Sequence, residues 1–147
     1  MISLNHDVII VGAGPSGTTC AKFLAEKGLD VLIIDKYQFP RHKTCAGGLL
    51  QHTFREFQYI TPFIEQYNSS LTVYDADLLN SFTIQSKQPI VAMTSGRKHF
   101  DQNLLNLAIN AGASFLGGLM VKRVEYVQGG ISVHCSDGSI KTAKVIV

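Results

Sequence analysis

The chain has 147 residues, 46% of them hydrophobic and 16% charged, with a formal net charge of +2 at pH 7. That length and apolar content suffice for a folded core and exclude a disordered chain. The small, dispersed charge surplus excludes nucleic acid or an anionic membrane as a partner chosen by charge, and three widely spaced cysteines, Cys20, Cys45 and Cys135, offer no zinc-type spacing.

Asp7 precedes a short apolar run, 8–11, continuous enough to be buried on both faces of a parallel sheet. No cleavage pattern is present, and no stretch approaches the roughly 18–20 apolar residues of a membrane span. The sequence therefore reads as neither secreted nor integral to a membrane, and its cysteine usage fits a reducing, cytoplasmic compartment.

Gly12-Ala13-Gly14-Pro15-Ser16-Gly17 follows the first strand at once. In a strand-turn-helix unit of this pattern Gly12 permits the tight turn, Gly14 lets the backbone approach a pyrophosphate, and Gly17 lets the helix lie close on the strand. No Cβ is expected to fit at any of the three. The helix should start near Pro15, where a missing N–H costs nothing, and end near Gly28, with the free N–H groups of its first turn facing phosphates. Ala21, Leu24, Ala25 and Gly28 give it a small-residue face for packing on a sheet.

Residues 31–35 form the second strand, and Asp35 ends it eighteen residues beyond Gly17, where a carboxylate should meet ribose hydroxyls. Hydrogen bonds to such a charged acceptor contribute roughly 1.5–3 kcal/mol each, against about 0.3–1 kcal/mol from an exposed helix dipole, so directed bonds should fix the ligand.

The segment 37–48 reads as an ordered loop, with Pro40, Arg41, His42, Lys43 and the run Cys45-Ala46-Gly47-Gly48. Residues 49–57 suggest a helix, and 63–70 has no clear period. The β-rich stretches 71–75, 81–86 and 90–94 are expected to form an inserted antiparallel sheet. A helix over 97–111 should then bury Phe100, Leu104, Leu107, Ala108 and Ala111 and stop at Gly112. Arg97 either serves a ligand or pairs with Asp101 four residues on. Phe115 closes a short parallel strand, and 120–127, 131–135 and a last strand over 143–147 form a meander through turns at Gly129 and Gly138.

On these residues the chain resembles the FAD-dependent geranylgeranyl reductases, a branch of the flavoprotein fold shared with aromatic hydroxylases and flavin-dependent halogenases. The resemblance rests on Asp-x-x-Ile-Val-Gly-Ala-Gly-Pro-Ser-Gly at 7–17, Asp35, Phe39-Pro40-Arg41 leading to Lys43-x-Cys45-Ala46-Gly47-Gly48, and Arg97-x-x-Phe100-Asp101-x-x-Leu104. The first motif is common to many FAD and NAD proteins. The cysteine-glycine segment is narrower and turns the reading towards reduction.

The resemblance implies an α/β fold with a Rossmann-like FAD-binding βαβ unit, a parallel sheet core, an inserted antiparallel sheet at 71–95 on the substrate side, and a β-meander. Residues 1–147 would be an incomplete FAD-binding domain, ending before a Gly-Ala-Asp-Gly segment and a C-terminal catalytic domain. FAD would be held by Gly12, Gly14, Pro15, Ser16, Gly17, Asp35, Lys36, Arg41, Cys45, Ala46 and Arg97, with no metal. Arg41 offers several donors in fixed geometry to phosphate oxygens, or else is a solvated surface arginine, as His42 and Lys43 are expected to be.

Cys45, Gly47 and Gly48 would lie on the flavin-ring side. Cys45 would either act as a thiol that tunes the flavin or helps to protonate product, or be a small apolar residue in a tight turn. The implied reaction is hydride transfer from reduced FAD to an isoprenoid C=C bond on a lipid or pigment precursor. NAD(P)H or ferredoxin would be the reductant, with peripheral membrane contact through the part beyond Val147. The alternatives are a flavin monooxygenase or halogenase and a non-catalytic FAD-binding fragment.

Overall fold

Val8, Ile9 and Ile10 are all buried, as a strand covered on both faces requires. They belong to the first of eleven strands in a computed structural model that describes residues 4–94 and 96–147. In chain order the elements are β1 (His6–Val11), α1 (Pro15–Glu26), β2 (Val31–Asp35), β3 (Gly48–Leu50), α2 (Gln51–Glu56), a 3-10 turn (Gln58–Phe63) and β4 (Ile64–Asn68). There follow β5 (Ser70–Tyr74), β6 (Ser81–Gln85), β7 (Val91–Thr94), α3 (Arg97–Asn110), β8 (Ser114–Gly117), β9 (Val121–Val127), β10 (Gly130–Cys135) and β11 (Ile140–Ile146). The chain divides into two units, Met1–Arg41 with Asp101–Val147, and His42–Phe100.

The first unit is built on a six-stranded sheet of order β8-β2-β1-β11-β10-β9. Its β8, β2, β1 and β11 run parallel, while β9, β10 and β11 form the antiparallel meander. Because side chains alternate along each strand, Val8, Ile10, Val31 and Ile33 share a cluster with Ala21 and Ala25 of α1 and Leu105 and Ala108 of α3. Ile9, Leu32 and Ile34 take the other face, with Ile131, Val133 and Ala143. Small residues on α1 let it lie close to the sheet. The inward stripe of α3 is turned from the expected one, since Leu105 and Asp101 are buried while Leu107 is only half-buried. A charged residue was not expected on that stripe, and its burial depends on an ion partner described below.

The second unit holds two antiparallel sheets rather than the single insertion expected at 71–95. One has the order β3-β7-β4 and the other is the hairpin β5-β6. Residues 90–94 do not pair with 81–86, for a chemical reason: Pro89 has no N–H to extend that ladder, and the Ile90 N–H goes to the Asn68 carbonyl instead. The stretch 63–70, which lacked a period, supplies β4. Gly48–Leu50, expected as loop and helix, is a strand opposite Met93, Ala92 and Val91.

The hairpin is amphipathic across its width. Leu71 faces Ile84 and Val73 faces Phe82, giving one apolar face, whereas Thr72 and Thr83 share a hydroxyl hydrogen bond of 2.8 Å on the other.

Candidate functional site: a glycine turn with a buried arginine, and a basic cleft

Gly12, at the end of β1, has φ +109°, a backbone conformation that L side chains rarely adopt. A Cβ on Gly17 would stand 2.0 Å from the Gly12 carbonyl oxygen and 3.2 Å from Ile10 Cγ2, so the close approach of helix to strand needs glycine there. Gly14 differs from both. Its φ of −74° and ψ of 177° suit any residue, and a Cβ there would meet only Arg41 Nη2, at 4.0 Å. The expectation that no Cβ fits at any of the three positions therefore holds on steric grounds at Gly17 and on conformational grounds at Gly12. At Gly14 the protein itself leaves room.

Pro15 begins α1, Gly14 is its N-cap, no side chain caps the helix start, and Ser16 is exposed beside it. The first turn carries no acidic residue, leaving an electropositive helix end of the kind that receives phosphate. Asp35 is buried at the end of β2 and braces the turn: its Oδ2 accepts from the Ala13 N–H at 2.7 Å and its Oδ1 from the Tyr37 N–H at 2.9 Å. Lys36 points its Nζ over the Tyr37 ring, 5.1 Å from the centroid.

Arg41 lies beside this turn. Its Nη2 is 3.0 Å from Asp101 Oδ2 and its Cζ is 4.9 Å from the centre of the Phe39 ring, and its side chain is 11% exposed against 0% for Asp101. The solvated-arginine alternative is thus replaced by a half-buried arginine paired with a buried aspartate. One guanidinium nitrogen, Nη1, is buried with no hydrogen-bond partner. An orphaned cationic donor is costly unless something accepts from it, so this nitrogen marks a place for an anionic acceptor. Asp101 and Phe39 were missed as parts of the site. In the sequence Asp101 is four residues from Arg97, which hid its pairing with an arginine sixty residues away.

The second unit carries Cys45, Ala46, Gly47, Gly48 and Arg97. Gly47 has φ +76°, and a Cβ there would stand 2.9 Å from Thr94 Oγ1, so its glycine is required by its own surroundings. Gly48 lies in β3, where a Cβ would make only ordinary contacts. Ala46 is exposed. The exposed Cys45 Sγ accepts from the Gly47 N–H at 3.5 Å. That N–H, and after it the Arg97 guanidinium, hold the thiol below its usual pKa.

A cleft of about 260 Å³ opens between residues 42–45 and 96–98. His42, Lys43, Arg97 and Lys98 line it, and no Asp or Glu does. Among the described residues no cluster of three or more His, Cys, Asp or Glu could hold a metal ion, and no helix is long and apolar enough to cross a membrane.

Residues 5–61 match the family described as FAD binding domain. An uncharacterised protein of Methanosarcina barkeri is 38% identical over 136 residues, covering 90% of this chain and 34% of that protein. Digeranylgeranylglycerophospholipid reductase 1 of Methanosphaera stadtmanae is 32% identical over 152 residues, covering 98% of this chain and 37% of the reductase. The crystal structure of a geranylgeranyl bacteriochlorophyll reductase-like protein from Thermoplasma acidophilum superposes with a TM-score of 0.80 at 24% identity, over 96% of this chain and 38% of that one, a likeness of fold. The chain spans about a third of the length of these relatives.

Proposed function

We propose that this chain, which carries an FAD binding domain sequence and is similar to the N-terminal third of geranylgeranyl reductase-type proteins, is the flavin-binding part of an FAD-dependent reductase of isoprenoid C=C bonds. The observation that carries the reading is the buried, unpartnered Arg41 Nη1 beside a glycine turn in which a Cβ on the middle glycine, Gly14, would approach only Arg41 Nη2, at 4.0 Å. A pyrophosphate supplies the acceptor that this nitrogen lacks and occupies the space that Gly14 keeps open.

Each residue of the first unit then has a task. Gly12 turns the chain, Gly17 lets α1 approach, and Pro15 and Ser16 present the helix start to phosphate. Asp35 fixes the Ala13 amide and, through its remaining lone pairs, takes ribose hydroxyls, with Lys36 adjoining. When bound, FAD supplies the redox chemistry, donating hydride from its reduced ring. Cys45 serves as the proton donor, because the Gly47 N–H and Arg97 stabilise the thiolate left behind and so make the thiol a stronger acid. Gly47, Gly48 and Ala46 shape the backbone around that thiol.

The substrate class is a geranylgeranyl chain on a lipid or pigment precursor, with NAD(P)H or ferredoxin as electron source. The protein works in the cytoplasm, at the membrane surface where such chains reside.

The test is anaerobic. The flavin-loaded full-length protein, reduced with dithionite and mixed with a digeranylgeranyl lipid, should return to the oxidised spectrum while the lipid gains hydrogen in pairs by mass spectrometry. Reoxidation only by O₂, with oxygen or halide appearing in an aromatic product, would make it a monooxygenase or halogenase instead.

A further inference from the structure

Asp101 is fully buried on α3, on the same stripe as Leu104 and Leu105, where an ionised carboxylate is costly unless a cation meets it. The cation is Arg41, whose Nη2 stands 3.0 Å from Asp101 Oδ2, and both residues belong to the first unit. The same Nη2 is the atom that a Cβ on Gly14 would approach, at 4.0 Å, so Asp101 grips the guanidinium at the glycine turn itself. Phe39 supports the group as well, its ring centre 4.9 Å from Arg41 Cζ, and Nη1 is left for a further acceptor.

A carboxylate is more than this geometry requires. A neutral acceptor would hold Nη2 in the same place, and well-packed apolar residues often serve a fold as well as a buried ion pair does. When a pyrophosphate accepts from Arg41 it also brings the counter-charge, and a second negative group on the same guanidinium then competes with it. The carboxylate is of most use while the phosphates are away, because it balances a cation whose charge would otherwise lie half-buried and unmet.

We propose that Asp101 is a positioning residue acting through Arg41, the standing counter-charge of the flavin site, which keeps the flavin-free protein stable and makes its hold on FAD weaker than Arg41 alone would give. The flavin is thereby kept exchangeable. This rests on the flavin-binding reading and adds the regulation of that site. Two effects of removing the charge alone favour FAD: the phosphates meet less repulsion, and the guanidinium is left in need of an acceptor. One effect opposes them, the freedom that the guanidinium gains. It is the smaller, because the Phe39 ring and a neutral amide in place of the carboxylate still hold the group.

Asp101→Asn keeps the shape and removes the charge. In the full-length protein freed of flavin it should lower the thermal unfolding midpoint by several degrees, and saturating FAD should close most of that gap. FAD titration followed by flavin fluorescence quenching should give a dissociation constant at least about threefold below that of the wild type. Inorganic pyrophosphate should raise the midpoint of the variant more than that of the wild type, whereas sodium chloride at equal ionic strength should act on both alike. A merely structural carboxylate would move none of these differences. The double variant Arg41→Gln/Asp101→Asn, with both charges gone, should unfold near the wild-type temperature without flavin and lose the extra response to pyrophosphate.

An Asp101→Asn protein that folds only with FAD or pyrophosphate present would support the same role. Equal or weaker FAD affinity in Asp101→Asn, or a double variant no more stable than the single one, would overturn it. Either result can arise while the wild type binds FAD, which leaves the flavin reading standing; a wild type that takes up no FAD would overturn both.

Discussion

Gly17 has the least latitude of any residue in the glycine turn. A methyl group there would sit 2.0 Å from the backbone oxygen of Gly12, and backbone, unlike a flexible side-chain tip, cannot move aside cheaply. Gly17→Ala should therefore destabilise the fold by about 1–3 kcal/mol, the range of an overpacked core, measured as a lowered urea midpoint. An unchanged midpoint would mean that α1 can back away from β1 at no cost. At this scale the glycines, the proline and Asp35 were legible because local backbone geometry dictates them. The Arg41–Asp101 pair was not, because sixty residues separate partners that only the tertiary fold brings within 3.0 Å.

Among the elements, β1 and β11 show how an exposed ion pair can join strands far apart in sequence. Asp7 Oδ1 lies 2.6 Å from Lys144 Nζ, and this hydrogen bond, with the Asp30 N–H behind it, holds the Asp7 pKa below the usual carboxylate range, while the same bond raises Lys144 above an ordinary lysine. A lowered carboxylate pKa adds stability above the unfolded-state value and loses it as pH falls through the folded one. The raised lysine adds stability below its unfolded value and loses it as pH rises through its folded one. The pair therefore acts between those limits. Unfolding midpoints of wild type and Asp7→Asn should differ at neutral pH and converge under strong acid, and a gap that persists there would assign the effect to something other than charge.

Elements with strong periodicity or clear stops, namely β1, α1, β2, α3 and the meander, were legible. Strands β3 and β4 were not, since each is specified by its partner β7 more than by a pattern of its own. Pro89, which has no N–H to offer a ladder, also bears on which strands pair.

For the whole molecule, the two units carry different charged features: a glycine turn beside the Arg41–Asp101 pair in one, and an open cleft lined by basic residues in the other. The strand-turn-helix geometry of the turn was legible from its glycine spacing. Cys45 and Arg97 were each singled out in the sequence, but their meeting at one cleft was not legible, because 42–45 and 96–98 are separated by three strands and a hairpin.

The central claim is that Gly14 is glycine for the sake of a bound dinucleotide, since its backbone angles and protein neighbours admit a larger residue. The most direct measurement is FAD titration of the wild-type chain and of Gly14→Ala, followed by flavin fluorescence quenching and paired with thermal unfolding without ligand. The wild type should bind saturably, and Gly14→Ala should bind at least about tenfold more weakly, a loss of about 1.4 kcal/mol, with stability changed by less than about 1 kcal/mol. Equal FAD affinity for the two proteins, or no quenching by the wild type, would contradict it.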